Sequence, residues 1–399
     1  MRSAGSSMNP CKASTASSSR IRRLIRVLIL AAAAAAPPAR LCAAGAEGPL
    51  AGVDAALLDR LFEALRADSV SPARRPAALA PETESFLLRY AARTGQREAF
   101  RLAARSLAAQ REACDAASEA WSAANAVEAY QAGKDLEAAR AAGRRLDALL
   151  PLDLARMRRD AQGPAISALA KGFAVLEEPR YLAAAQKAAR ALPARPPAGL
   201  GFREAAFLVQ GFLDLYAADF DPDWLDRADA FARVLRRGLP LRGLQEAEPS
   251  LLAARGVAVQ GFLRLAHLSE RPEYRQAAEA ALLQFRDAMR DFPRAHPALL
   301  SAADLALAKP RQIVLAGELD DPATRELLRL ARSRFSPGET VIVLPEGPVR
   351  ERMVKRLPLL KGMTPIAGKT TAYICVRFAC RLPTNDLKVA ARLLAEGDE

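Results

Sequence analysis

Asp160 and Glu204 are the two carboxylates whose placement invites a chemical reading. Each opens a segment of helical periodicity in successive helical hairpins, so the two could face one mouth. A carboxyl pair that cleaves a sugar bond needs a separation of roughly 5 to 9.5 Å. The same placement has a structural explanation, since an acid in the first turn of a helix is favoured by the unpaired N–H groups and the dipole there. Gln162, two residues beyond Asp160, could bind a ligand hydroxyl or simply lie at the surface. Asp219, Asp221 and Asp223 alternate like a calcium loop, but no twelve-residue pattern ending in Glu follows, and capping of the next helix accounts for them. No metal site is expected. His267 and His296 are the chain's two histidines, and neither has a second His or Cys at ligand spacing, which also leaves a Ser-His-Asp arrangement unsupported. The chain holds no GxGxxG, GxxxxGK[ST] or GxSxG pattern, so no nucleotide cofactor is expected.

The chain has five cysteines, of which Cys375 and Cys380 are the closest together. Five residues of extended strand would place their Cα atoms about 17 Å apart, whereas a disulfide needs roughly 4.4 to 6.8 Å. Pairing therefore requires the chain to reverse between 376 and 379. A disulfide, a pair of buried free thiols, and redox or metal work all remain open, the last disfavoured because C-x4-C lacks CxxC geometry.

The head of the chain has the layout of an export signal: a basic stretch Arg20–Arg26, an apolar run Val27–Ala36, then small residues, with cleavage expected after Ala44. The apolar run is stopped by Pro37-Pro38 after some ten residues, against about 20 needed to span a bilayer, so membrane attachment follows only if the signal stays uncleaved. The expected location is periplasmic or extracellular. Cys11 and Cys42 would leave with the signal, and Cys114, Cys375 and Cys380 would remain in an oxidising compartment. The net charge of +13 is also partly the signal's. Its seven basic residues leave +6 on the remainder, interleaved with acids, which reads as a solvated surface and not as a nucleic-acid interface.

The elements that must position these residues are written in a repeat. Gly172, Gly211 and Gly261 each precede a Phe, and each line ends in Pro, a charged residue and an aromatic: Pro179-Arg180-Tyr181, Pro222-Asp223-Trp224, Pro272-Glu273-Tyr274. Spacing of some 40 to 50 residues is that of stacked helix pairs. Glycine in mid-helix weakens helix propensity by roughly 1 kcal/mol, so its recurrence suggests close helix–helix contact. Hairpins are expected at 81–110 with a turn at Thr94-Gly95, 119–150 with a turn at Gly133, 164–192, 202–237 and 250–290. The helix at 53–67 and the segment 295–308 make a sixth pair. Six pairs can close into a ring, the alternative being an open superhelix. The pattern then changes to strand 312–316, helix from Asp321, strand 340–344, a third strand 370–376 and a closing helix 386–394. The expected organisation is an export signal at 1–44, a linker and first helix at 45–80, helical hairpins at 81–309 and a βαβ-containing segment at 310–399.

The order of segments resembles the YyaL-type family related to spermatogenesis-associated protein 20. The resemblance is carried by Pro81–Gly95, Ile166–Lys171, Phe207–Tyr216, the βαβ stretch 311–345, and Thr371–Cys380 followed by Pro-Thr-Asn-Asp. Its most specific part is the TAYxCxxFxC element. It implies a mainly α fold, an (α/α)6 toroid similar to six-hairpin glycosidases and sugar epimerases, followed by a small α/β appendage. This chain departs from the family where chemistry would be expected. An export-signal pattern stands where the family has a thioredoxin-like domain with a CxxC motif. Gln110–Glu119 replaces a long Gly- and His-containing mouth loop, the family's Trp-Asn-Gly falls at Ala161-Gln162-Gly163, and its acidic-aromatic pair falls near Glu204-Ala205. The expectation is an exported, catalytically degenerate toroid that binds or scaffolds a carbohydrate or protein ligand. The alternative is a carbohydrate-active enzyme working through Asp160 and Glu204.

Overall fold

Two kinds of helix alternate along the chain, and burial separates them. In the computed structural model, which describes residues 50–69, 79–109, 115–238, 249–269, 271–376 and 379–395, one kind is buried nearly all round. It comprises α2 (Pro81–Thr94), α4 (Ala116–Gly133), α6 (Arg159–Leu176), α8 (Phe202–Asp219), α10 (Pro249–Ser269) and α13 (Pro297–Leu307). In α6 every residue from Asp160 to Ala170 is buried, and in α13 every residue from Pro297 to Leu305. The other kind buries a stripe: in α7 (Pro179–Ala191) Tyr181, Ala185, Ala188 and Ala189 turn inward while the opposite face meets solvent. The same holds for α3 (Arg97–Ala109), α5 (Leu136–Leu149), α9 (Pro222–Gly238) and α11 (Pro272–Gln284). A helix buried all round must be walled by neighbours on every side, so the first kind forms an inner ring and the second its outer wall.

The ring closes. α2 packs on α4, α4 on α6, α6 on α8, α8 on α10, α10 on α13, and α13 returns to α2. α1 (Ala55–Ser69) lies against α13 as the sixth outer helix, and the short α12 (Arg286–Asp291) bridges α11 towards it. Closure is fastened by the Arg93–Asp304 ion pair between α2 and α13 and by the Tyr90 hydroxyl, which donates to Asp59 of α1 at 2.7 Å. This is an (α/α)6 toroid and not an open superhelix.

Four of the inner helices end at a tight turn. Gly95, Lys134, Glu177 and Phe220 take left-handed backbone conformations that close α2, α4, α6 and α8. The turn expected at Gly133 is thus made one residue later, by Lys134. Gly133 stays in the helix, where a Cβ would sit 2.5 Å from the Phe100 ring. Proline then opens α7, α9 and α11, where its missing N–H is not needed.

Beyond the ring, β1 (Arg311–Ala316) pairs in parallel with β2 (Glu339–Leu344) across α14 (Pro322–Ala331). β3 (Thr371–Val376) pairs with the other edge of β1 in antiparallel sense, and β4 (Ala379–Cys380) pairs with β3, giving the order β2-β1-β3-β4. α15 (Pro348–Arg356) and α16 (Leu387–Ala395) complete the appendage. All six residues of β1 are buried, as a central strand between two partners requires. The expected export signal, Cys11, Cys42 and Cys114 lie outside the described residues.

Because every hairpin turn follows an inner helix, the inner helices run in one direction, with a rim at their N-termini and a turn end at their C-termini. The appendage covers the turn end. Arg332 donates to the carbonyls of Ala217 and Ala218 in the last turn of α8, where free carbonyls and the helix dipole favour a cation. Gln131 of α4 donates to the Arg332 carbonyl at 2.8 Å, and Gln312 of β1 donates to the His267 carbonyl of α10 at 2.7 Å. A cavity of about 60 Å³ remains between the ends of α8 and α10 and the chain from Pro337 to Val341.

Candidate functional site

The rim carries Asp160, Gln162 and Glu204, and each makes contacts within the fold. Asp160 sits in the first turn of α6. Arg158 donates to both its oxygens at 3.2 and 3.0 Å, and Arg203 of α8 lies 3.3 Å away. Burial resists ionisation of Asp160, but the two guanidiniums outweigh it and hold the carboxyl below its ordinary value. A carboxylate so held is a poor proton donor. Glu204 turns back on its own helix and accepts from the Gly201 backbone N–H at 3.1 Å, the reciprocal half of a capping box. Gln162 is not a surface residue. It is buried, and its amide donates to the carbonyls of Ala155 at 2.9 Å and Met157 at 3.4 Å, bracing the loop that leads into α6. Arg203 thus joins the starts of α6 and α8, while no contact joins Asp160 to Glu204 among the described residues.

Inside the rim, side chains of non-adjacent inner helices meet. Trp121 of α4 meets Phe207 of α8 edge-to-face, with ring centroids 5.3 Å apart. α4 and α8 are not neighbours in the ring, so this contact reaches past α6 through the interior. Trp121 also donates its indole N–H to Ser85 of α2 at 3.0 Å. Ser85 in turn donates to Asn125 at 2.7 Å, and Asn125 donates to Glu84 at 3.1 Å. Glu84 further accepts from Ser106 at 2.7 Å and Ser122 at 3.4 Å. Burial drives the Glu84 carboxyl up to about 7, against the pull of these donors. That value suits a general acid, yet Glu84 is fully buried and both oxygens are taken. Its signal in the sequence was an acid on an apolar stripe, at i, i+3 and i+4 with Leu87 and Leu88.

Deeper in the ring, charges pass from helix to helix. Glu128 of α4 pairs with Lys171 of α6 at 2.5 Å, Lys171 with Asp214 of α8 at 3.6 Å, and Asp214 with Arg264 of α10 at 2.7 Å. Ser167 also donates to Asp214 at 2.5 Å. Asp214 is wholly buried, which resists its ionisation, but Arg264 and Lys171 together hold it below its ordinary value. Among the described residues, the buried Arg255 has no ion-pair partner. Arg255 of α10 stacks 4.9 Å from the centroid of Phe285, with Nε and Nη2 unpartnered, and burial lowers its pKa. Arg255→Met keeps the length and removes the unpaired charge, so stability should rise by about 1 kcal/mol or more. Urea denaturation checks this, and a loss would reveal a partner for the guanidinium.

The aromatic residues of the repeat are packing residues. Tyr181, Trp224 and Tyr274 are buried, and the two tyrosines donate to acids on the preceding outer helix, Tyr181 to Asp147 at 2.8 Å and Tyr274 to Asp229 at 2.5 Å. Asp219 accepts from the indole of Trp224 at 3.0 Å and from Gln186 at 2.8 Å, while Asp219 and Asp221 each accept a backbone N–H two residues on. These carboxylates serve the turn.

Both histidines are held neutral. Burial, aided by Arg275, takes His267 down to about 4, and burial with Arg255 does the same for His296. Their folded values lie below the ordinary 6.5, so both contribute stability above that pH which is lost as pH falls towards 4. Glu84 acts oppositely, favouring the fold as pH drops from about 7 through the ordinary carboxylate range. Glu82, Asp219 and Asp304 are also raised by burial and act with Glu84, so the histidine contribution is isolated by mutation. Removing one histidine should lessen the loss of stability between pH 6.5 and 4 by on the order of 2–3 kcal/mol. Chemical denaturation across that range checks it, and His267→Gln should flatten the slope.

A larger cavity, about 500 Å³, lies at the turn end between the start of α11 and the sheet. Cys375 and Cys380 stand on its wall. They oppose each other across β3 and β4, with Cα atoms 3.8 Å apart, and are joined as a disulfide. β3 and β4 run antiparallel, the reversal that pairing requires, and the two cysteine Cα atoms stand closer than the usual range of roughly 4.4 to 6.8 Å.

The chain is similar to known proteins over part of its length. No family model matches it. The similarity is to spermatogenesis-associated protein 20. The human protein is 27% identical over 210 residues, covering 48% of this chain, and the rat protein is 26% identical over the same length. The chain spans about a quarter of the length of these curated relatives, 27% of the human protein and 26% of the rat one. Among solved structures, the Lin0763 protein from Listeria innocua aligns with 57% of this chain and 83% of its own, at 14% identity and a TM-score of 0.47. An unsaturated glucuronyl hydrolase specific for heparin aligns with 64% of this chain and 95% of its own, at 13% identity and a TM-score of 0.48.

Proposed function

We propose that the chain is an exported binding or scaffold protein, a six-hairpin toroid whose rim has given up catalysis. The observation that carries this reading is the state of the rim carboxylates. Asp160 is clamped by Arg158 and Arg203, and Glu204 turns one carboxylate oxygen back to cap its own helix, so both serve the starts of their helices. The Trp121–Phe207 contact supports it further, since it joins non-adjacent inner helices across the interior behind the rim. A rigid toroid without a working mouth can still present its outer face or its covered turn end to a carbohydrate or protein ligand.

Thermal-shift screening of the purified mature chain tests the binding half. A ligand that raises the melting temperature equally in the native chain and in Glu204→Gln supports the reading, and one whose effect vanishes with that change returns the site to the rim. Export is tested by the N-terminus of the mature protein. Processing near Ala44 is expected, and a chain retaining residues 1–44 overturns it.

A further inference from the structure

The cavity at the turn end lies away from the rim, and its wall combines three chemical features. The first is the disulfide, whose two residues are unequal: Cys375 is buried and Cys380 is exposed. An incoming nucleophile therefore meets the sulfur of Cys380 first.

The second is positive charge without a lining carboxylate. Arg271 and Arg275 both line the cavity. Arg271 shares Asp229 with Arg233, at 2.6 and 2.5 Å, so two guanidiniums divide one acid. Arg275 reaches Glu279 at 3.4 Å with one amino group and faces His267 Nε2 at 3.2 Å with the other. His267 is neutral and accepts that hydrogen bond without cancelling charge. The cluster is thus three cations against two acids, both acids lying outside the cavity wall.

The third is an orphan acceptor. Gln312 lines the same cavity and is only 3% exposed. Its amide nitrogen is committed to the His267 carbonyl, and its Oε1 has no partner. A buried acceptor left unpaired is unfavourable, and a ligand N–H or O–H would satisfy it.

We propose that this cavity is a thiol–disulfide exchange site for a small thiol that carries carboxylate groups and an amide or ammonium donor. The carboxylates meet Arg271 and Arg275, the donor meets Gln312, and the thiolate attacks Cys380 Sγ. The new bond joins the ligand sulfur to Cys380, the Cys375–Cys380 bond breaks, and Cys375 leaves as a thiolate that takes up a proton. A second thiol attacking the mixed disulfide releases the oxidised ligand dimer and leaves both cysteines reduced. Electrons balance between the ligand thiols and the protein disulfide, with no other oxidant. In the reverse direction the oxidised ligand restores the disulfide.

The test uses the full mature chain with reduced glutathione and with its diethyl ester, which has the same thiol and no carboxylates. Reactions are quenched with acid and the adduct is located by peptide mass spectrometry. The expected result is an adduct on Cys380, formed at least about tenfold faster with glutathione than with the ester, the preference shrinking with added salt. Arg275→Gln should reduce the preference while circular dichroism shows the fold intact. Equal rates for the two thiols, an adduct on Cys375, or no adduct on either residue would overturn the proposal. Each of these outcomes leaves the reading of the rim unchanged, since no rim residue takes part.

Discussion

Asp214→Ala is expected to cost the fold about 3–5 kcal/mol, the largest loss of any single change to the charged groups of the ring. The carboxylate is wholly buried between Arg264 at 2.7 Å and Lys171 at 3.6 Å, with Ser167 donating to it. Alanine would leave two partly buried cations facing each other across α8 with no acid between them. Lys171 retains Glu128 at 2.5 Å, which limits the damage on that side. Arg264 has no other ion-pair partner among the described residues. Asp214→Asn should be milder, because it keeps the acceptor for Ser167 and loses only the charge. Urea denaturation of both variants at pH 7 decides the point, and equal losses would show that the hydrogen bond to Ser167 adds nothing to the effect of the charge.

Gly163→Ala should also be costly, by about 1–3 kcal/mol, although it adds a single methyl group. A Cβ at Gly163 would lie 2.3 Å from the carbonyl carbon and oxygen of Phe207, which are backbone atoms that no rotamer change can move. α6 and α8 would have to separate, and Phe207 would be drawn from Trp121. Gly172→Ala is the control. Its Cβ would meet Leu146 Cδ1 at 2.5 Å, the far end of a flexible side chain. The gain in helix propensity, about 1 kcal/mol, should offset most of that clash and leave the change near neutral. Thermal denaturation of the pair tests the account, and comparable losses in both would mean that backbone contact is not what sets the α6–α8 distance.

Those two glycines also mark how far the toroid could be read from the residues alone. The recurrence of Gly172, Gly211 and Gly261 pointed to close helix packing, and all three are tight, but only Gly211 faces backbone, with Gly163 O at 2.8 Å from a Cβ there. The closest approaches fall at Gly163 and at Gly256, where a Cβ would be 2.2 Å from the carbonyl carbon of Ala298. Neither belongs to the repeated line, because such a contact depends on which turn of one helix meets which turn of the next, and helical periodicity does not encode that. Six pairs and the strand pattern were legible, since both follow from period and length. The position of β3 beside β1, antiparallel, was not, because a strand buried on both faces carries no mark of direction.

The site shows the same division. That Asp160 and Glu204 begin inner helices was readable from periodicity, but their partners were not. Arg158 and Arg203 looked like ordinary surface charges until the rim brought α6 and α8 together. The charge chain left a fainter trace. Asp214 and Arg264 stand three residues after Gly211 and Gly261, so aligning the copies places a charge at the same buried position in both, with opposite signs on adjacent inner helices.

The central claim is that the rim carboxylates serve the fold and not a substrate. Release of reducing ends from neutral and uronate-containing glycans, incubated with the purified mature chain and with Asp160→Asn and Glu204→Gln, tests it most directly. No release above the protein-free control is expected in any of the three. Turnover by the native chain that disappears in either variant would contradict it.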